Sequence, residues 1–310
     1  MTSRSRTRTF WALTVLLPVV VGALAIGGYF LWAGSQLLRL PERVVGDWLM
    51  ERDDEIGFVP PRNGATEIQR FDTGRRVHFF TDARRARVGA PGDQTPAHVD
   101  VMAVGCSFTW GANVENEDTW PQQLGRMLGT PVANFGMGSY GSVQSFQMLV
   151  RNADLKPKVV VYGFIQDHLR RNLSPCAPNY VPYCLAVSYL HREGDWITLQ
   201  PPRMELFSPE GNRAFDDEVV LRDPRGAVSW LLAATWAARI AWFRARHLEL
   251  TNVDQSPETA ALAMEAILRG MVTETQRMGA KLVVLNIPTS VAAACSRCQT
   301  RSRGRSRART

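Results

Sequence analysis

Apolar residues fall along this chain in runs of two lengths. Phe10 to Trp32 (FWALTVLLPVVVGALAIGGYFLW) is one long run without a single charge. Four shorter runs, Val99–Val104, Pro131–Phe135, Lys158–Phe164 and Lys281–Ile287, are mainly apolar; three run into Gly105, Gly136 and Pro288, and Lys158–Phe164 carries Gly163 beside its last residue. Short continuous runs of this kind read as strands of a parallel sheet buried on both faces. The segments between them carry helix signals. Glu117–Leu128 has Thr119 as N-cap and Pro121 in the first turn. Val143–Asn152 follows a Gly-rich turn. Ser256–Met278 opens with an N-cap Ser, Pro257 at the first position and Glu258 behind it, and Gly279 stops it. Strands alternating with helices at this spacing predict a doubly wound α/β domain over residues 98–290.

The long run, 23 residues, makes a helix of about 34 Å, enough to cross a hydrocarbon core of about 30 Å. Trp11, Tyr29 and Trp32 stand where interfacial aromatic residues belong. Arg4, Arg6 and Arg8 precede the run, and Asp47, Glu51, Asp53, Asp54 and Glu55 follow Arg39 and Arg43. The positive-inside bias therefore predicts a single-pass anchor over 10–32, with residues 1–9 cytoplasmic and the rest periplasmic or otherwise extracytoplasmic. The alternative is a signal peptide cut near Ala33-Gly34-Ser35. Its apolar core would exceed the usual length of about 7–15 residues, which favours the anchor.

Beyond the anchor, Gln36–Met50 carries Leu37, Leu38, Leu40, Val44, Val45, Trp48 and Leu49 at helix-like spacing, so a juxtamembrane helix is expected there. Within 33–97 the remainder reads as a small β-containing segment laid against the main domain, with strands at Glu67–Phe71 and Arg76–Phe80. Residues 173–225 form a Pro-rich insertion. Val228–Leu250 is a long helix carrying Trp230, Leu231, Trp236, Ile240, Trp242 and Phe243. Its expected place is the core, with a pocket wall or the membrane surface as alternatives. After Pro288, where a covering helix would normally return, the chain gives Ala292-Ala293-Ala294 and an Arg/Ser-rich stretch. Residues 291–310 are accordingly expected to be disordered, and the domain to end early, by nature or through a change of frame.

Charge and cysteines change the picture only once they are located. Nine arginines lie at the two ends, at 4, 6, 8, 297, 301, 303, 305, 307 and 309; without them the net charge of +7 becomes −2. The body is close to neutral, which argues against nucleic acid as a partner. Cys176 and Cys184 flank the loop-like spacer Ala-Pro-Asn-Tyr-Val-Pro-Tyr. Outside the cytoplasm a disulfide is expected to close it; otherwise they are two free thiols. Cys295 and Cys298 have C-x-x-C spacing with no second pair or nearby His to complete a zinc site, and His78 and His98 have no ligand cluster. No metal and no cofactor are expected.

The chemistry gathers at the ends of the predicted strands. Gly105-Cys106-Ser107-Phe108-Thr109-Trp110-Gly111 delivers a hydroxyl where open α/β sheets keep their sites. A Ser needs a base to become a nucleophile and hydrogen-bond donors for the oxyanion. The elbow G-x-S-x-G is absent, since Thr109 holds its second Gly position. The run resembles instead the first block of the SGNH/GDSL hydrolases, with Cys106 in place of their Asp. Asn134-Phe135-Gly136-Met137-Gly138-Ser139-Tyr140-Gly141 is similar to their second block. Counted from Asn134, the family's Gly falls on Ser139, and Gly138 is one residue away. Tyr162-Gly163-Phe164-Ile165-Gln166-Asp167 is similar to the third block, with Gln166 where the family has Asn.

The resemblance spans roughly 98–288 and implies a flavodoxin-like SGNH-type parallel sheet flanked by helices. It implies Ser107 as the catalytic nucleophile, with the Ser139 backbone (Gly138 as alternative) and the Gln166 side chain forming the oxyanion hole. It also implies a D-x-x-H block after the strand at Leu282–Ile287, which is absent; no His follows His247, and His168 is read as a local polar residue rather than a substitute base. The implied function is a membrane-anchored serine esterase or acyl hydrolase acting on an ester-bearing glycan or lipid. The alternatives are a catalytically impaired pseudoenzyme or envelope binding module, and a related O-acetyltransferase using the same residues.

Overall fold

The structure, a computed structural model, describes residues 3–37, 42–47, 49–70, 74–177, 185–204, 227–246 and 253–289. The chain forms two compact units, one built from its first 43 residues with 210–248 and the other from 44–209 with 249–310. Cys184, His247, Cys295, Cys298 and the segment 291–310 lie outside the described residues.

Helix α1 (Ser3–Leu37) covers the long apolar run, and within it Leu16–Ser35 is long and apolar enough to cross a membrane. Of the helix expected over Gln36–Met50, only Gln36 and Leu37 are helical among the described residues, as the end of α1; 38–41 and Trp48 lie outside them. Glu42–Gly46 is strand β1, on the edge of the large sheet. Val44 and Val45 favour an extended backbone, and Asp47 fastens the strand end. Its N–H donates to Ala65 O at 3.0 Å, its Oδ2 accepts from Ala65 N at 2.8 Å, and its O accepts from Thr66 Oγ1 at 2.8 Å.

The segment expected to lie against the main domain instead extends its sheet. After the small hairpin β2 (Glu51–Asp53) and β3 (Gly57–Val59), strands β4 (Ala65–Arg70), β5 (Arg76–Thr81) and β6 (Arg87–Val88) pair antiparallel. The last joins strand β8 (Val132–Gly136) through Arg87 opposite Asn134. The core strands are β7 (Val101–Gly105), β8 (Val132–Gly136), β9 (Val159–Phe164) and β14 (Lys281–Asn286), and the sheet runs β1-β4-β5-β6-β8-β7-β9-β14. It is therefore mixed: four parallel strands in the doubly wound order 2-1-3-4, continued by an antiparallel half. Alternation in Arg76–Thr81 (exposed, buried, half-buried, buried, half-buried, buried) marks the antiparallel part, whereas every residue of β7 and β8 is buried.

Between the strands stand α2 (Ser107–Trp110), α3 (Trp120–Leu128), α4 (Ser142–Arg151) and α5 (His168–Arg171). Thr119 caps α3, accepting from Gln122 N at 3.4 Å, and Gly129 ends it at φ 66°. The insertion carries two hairpins, β10 (Cys176–Ala177) with β11 (Leu185–Ala186) and β12 (Tyr189–Glu193) with β13 (Trp196–Gln200). Cys176 is disulfide-bonded. Helix α7 (Pro257–Arg277) begins at the N-cap Ser256, as the sequence predicts.

Two expectations need correction. The long aromatic helix α6 (Ala227–Arg246) is not in the core of the sheet domain; it packs on α1 in the other unit. Its continuous apolar pattern fits any apolar neighbour, and pattern alone does not choose between them. Strand β14, expected to be a buried core strand, is the sheet's edge, with Val283, Val284 and Leu285 each about 40–50% exposed. Among the described residues only β9 pairs with it, and α7 covers a single face.

Candidate functional site

Parallel pairing fixes the site before any side chain is considered. Gly105 at the end of β7 is in register with Gly136 of β8 on one side and Gly163 of β9 on the other. The chain leaves the three strands along one rim, with Ser107, Ser139 and Gln166 respectively two, three and two residues beyond the last strand positions. The rim borders the switch point between β7 and β9, where doubly wound sheets bind ligands.

The glycines are there because α2 lies across them. A Cβ on Gly105 would strike Thr109 Oγ1 and come within 2.9 Å of Gly163 O. One on Gly163 would also meet Thr109 Oγ1, and one on Gly136 would collide with Trp110 N and stand 2.8 Å from Thr109 C. Thr109 itself is fully buried. The short helix α2 is thus seated on bare backbone, and Ser107 is its first residue, partly exposed, beside the exposed Phe108.

Side chains then bolt the loops to one another. Asn134 Nδ2 donates to Thr109 O at 2.9 Å while its Oδ1 accepts from Gly136 N at 3.0 Å, and Met137 N donates to Gly105 O at 3.1 Å. Arg171, held by Asp167 at 2.7 Å, donates to Tyr140 O at 3.0 Å. Asn172 accepts from Ser142 N at 2.8 Å and donates to Ser142 Oγ at 3.1 Å, capping α4 from the end of α5. Behind α2, the buried Arg87 donates to the carbonyls of Trp110, Gly111 (2.7 Å), Val114 (2.6 Å) and His78 (3.3 Å), its guanidinium 4.5 Å above the Phe79 ring. Burial lowers its pKa to about 10, against the raising influence of Glu115 and Glu117, so it remains charged at neutral pH. Asn134, Met137, Tyr140 and Asp167 lie in the quoted blocks; Arg87, Arg171 and Asn172 carried no signal in the sequence.

Ser139 has φ 62°, in the left-handed region, with Tyr140 N donating to Met137 O at 3.4 Å to close the turn. A residue at this place in such a turn prefers to be Gly. Ser139→Gly is expected to raise stability by about 0.5–1 kcal/mol, because relief of the left-handed penalty outweighs the added chain entropy. A urea midpoint measures it, and a midpoint that falls contradicts the account.

The neighbours of Ser107 are not those of an activated hydroxyl. Its side chain hydrogen-bonds Cys106, whose thiol is buried; burial raises the thiol pKa, opposed by the Phe108 N–H and the charge of Arg171. Cys106 is therefore a neutral neighbour and not a base. His168 is fully buried, its Nδ1 2.6 Å from Tyr162 Oη, which in turn donates to Ser142 Oγ at 2.6 Å. Burial, then the charge of Arg171, lower its pKa to about 3. It belongs to the core network behind the rim and is a neutral imidazole at any working pH. Among the described residues no histidine hydrogen-bonds Ser107, and His78 is held elsewhere, between Glu67 (3.3 Å) and Glu115 (3.2 Å). Gln166 is exposed. Among the described residues no group of three His, Cys, Asp or Glu could hold a metal ion. The apolar groove along α7, lined by Leu169, Met264, Leu268 and Val272, includes none of the three rim residues.

No family model and no curated protein matches the chain.

Proposed function

We propose that the chain is a membrane-anchored serine esterase or acyl hydrolase of the SGNH/GDSL type, acting on an extracytoplasmic ester. Ser107 is the nucleophile. The backbone N–H of Ser139, with that of Gly138 as alternative, and the side-chain amide of Gln166 are the oxyanion donors. The observation that carries this reading is the shared register of Gly105, Gly136 and Gly163, which brings the three block-like motifs to one rim. The apolar helix Leu16–Ser35 and the disulfide-bonded Cys176 support an anchored domain outside the cytoplasm. In the reaction the Ser107 oxygen adds to the ester carbonyl, the two donors hold the resulting oxyanion, and its collapse breaks the ester C–O bond, the leaving oxygen departing as the alcohol with the proton that Ser107 loses. Water then releases the acid and restores the hydroxyl. An ester-bearing glycan or lipid fits this chemistry, and an acceptor hydroxyl in place of water makes the same site an O-acetyltransferase.

A second reading is favoured by a specific observation: no described histidine reaches Ser107, and the D-x-x-H block is absent from the sequence. It is a catalytically impaired relative that keeps the rim as a binding site. Removing the base of a Ser triad costs orders of magnitude in rate. The two part on hydrolysis of p-nitrophenyl acetate. For the esterase, the native chain is expected to exceed Ser107→Ala by about tenfold or more, with fluorophosphonate labelling confined to Ser107. Equal rates and no labelling leave the impaired relative.

A further inference from the structure

The helix α6 carries large apolar residues on its exposed side as well as on its buried one. Ala233, Trp236, Ala237 and Ile240 are buried, yet Trp230, Leu231 and Trp242 are about 40–65% exposed. A helix of that kind belongs in a core or in lipid. Its neighbour is α1, and the two approach closely: a Cβ on Gly34 would stand 2.7 Å from Ala233 C and from Ala234 N. Small residues at a crossing are how helices pack where both are surrounded by hydrocarbon. Gly34 is the penultimate residue of the apolar stretch Leu16–Ser35, so the crossing lies at the depth where that span leaves the bilayer.

The same helix cannot be a simple second crossing. The segments that precede and follow it, 44–209 and 249–310, belong to one compact unit, in which β14 pairs with β9. Both ends of α6 lead back into that unit, and neither 205–226 nor 247–252 holds an uncharged apolar run long enough to cross hydrocarbon, so both ends belong on the same side. Its charges fit the phosphate level. The helix contains Arg239, Arg244 and Arg246 and no acid. Arg239 lies 5.1 Å from the Trp236 ring and Arg246 5.2 Å from that of Trp242. Indole beside guanidinium suits a layer apolar below and anionic above.

We propose that α6 is an interfacial membrane helix: it lies in the leaflet where α1 ends, with Trp230, Leu231 and Trp242 in the acyl-chain boundary and Arg239 and Arg246 on lipid phosphates. The inference rests on α1 being a membrane span. It doubles the attachment and holds the chain by two elements at a single leaflet.

The test uses the full chain with Cys295→Ser and Cys298→Ser, carrying one cysteine-linked environment-sensitive fluorophore at a time. The labelled variants are Leu24→Cys in α1, Leu231→Cys and Trp242→Cys in α6, and Trp196→Cys as a water-exposed reference; all four positions are exposed, so the fold tolerates them. They are reconstituted in vesicles of phosphatidylcholine and phosphatidylglycerol, with or without spin-labelled lipid. Expected is quenching by spin-labelled lipid at 24, 231 and 242 that exceeds position 196 by roughly twofold or more, with iodide quenching only position 196. If 24 is quenched by lipid while 231 and 242 respond to iodide, or to neither quencher because protein covers them, the proposal for α6 is overturned and the anchor stands. If 24 itself is not quenched by lipid, the anchor falls and takes the proposal with it.

Discussion

Gly136→Ala is expected to lower stability by roughly 3 kcal/mol or more and to abolish whatever reactivity Ser107 has. The new methyl would overlap Trp110 N and stand 2.8 Å from Thr109 C and Cβ, and these are atoms of a helical turn rather than flexible side-chain ends. Neither partner can give way. The β8 strand is fixed by its register with β7, and the turn is fixed by Asn134 on Thr109 O and by Arg87 on the carbonyls of Trp110 and Gly111. The relief available is to lift α2 off the strand ends, which moves Ser107 away from the rim shared with Ser139 and Gln166. Gly129→Ala is the control: its φ is 66° but nothing lies within 4 Å of the added Cβ. Conformational strain alone should cost it about 1 kcal/mol. Urea midpoints of the two variants, with fluorophosphonate labelling at a temperature where both are folded, measure the contrast. Equal losses would show that α2 is not seated as described.

Arg87→Met is expected to cost about 2–4 kcal/mol and to loosen the segment after α2. The side chain is 1% exposed and supplies the donors for four backbone carbonyls on two segments. Methionine keeps the stem over Phe79 and Trp110 and removes every donor, so buried carbonyls are left without partners. Removal of a buried guanidinium offsets part of the loss, because its charge is costly to desolvate, which the pKa of about 10 already reflects. Arg87→Lys should fall close to Met, because one ammonium cannot reach carbonyls that a planar fork spans. Amide exchange at Gly111, Ala112 and Val114, faster by tenfold or more for each roughly 1.4 kcal/mol of local stability lost, is the direct readout. Lysine restoring native protection would contradict the forked role.

Strands β7, β8 and β9 were legible because burial on both faces forces continuous apolar runs, and helices α3 and α7 because the caps Thr119 and Ser256 advertise their starts. The three block-like motifs were legible as strings. That their glycines fall in one row was not, since register depends on which strands pair. Val44 and Val45 show the opposite failure. An apolar spacing read as helix proved to be an edge strand, because the hydrogen bonds at Asp47 outweigh a weak local preference. Arg87, Arg171 and Asn172 carried no signal, since a buried arginine or asparagine differs from a surface one only through distant carbonyls.

For this chain the sequence by itself determined an apolar helix able to cross a membrane, a strand–helix alternation, and a Ser two residues beyond a glycine-ended strand. Those are local properties, set by hydrogen-bonding needs and by periodicity within a few residues. The tertiary structure decided that the sheet is mixed, that α6 keeps company with α1, and that β14 lies at an edge. It also decided that His168 is sealed behind the rim and away from Ser107. These depend on which distant surfaces meet, and an apolar stripe or an imidazole is compatible with many partners until packing selects one.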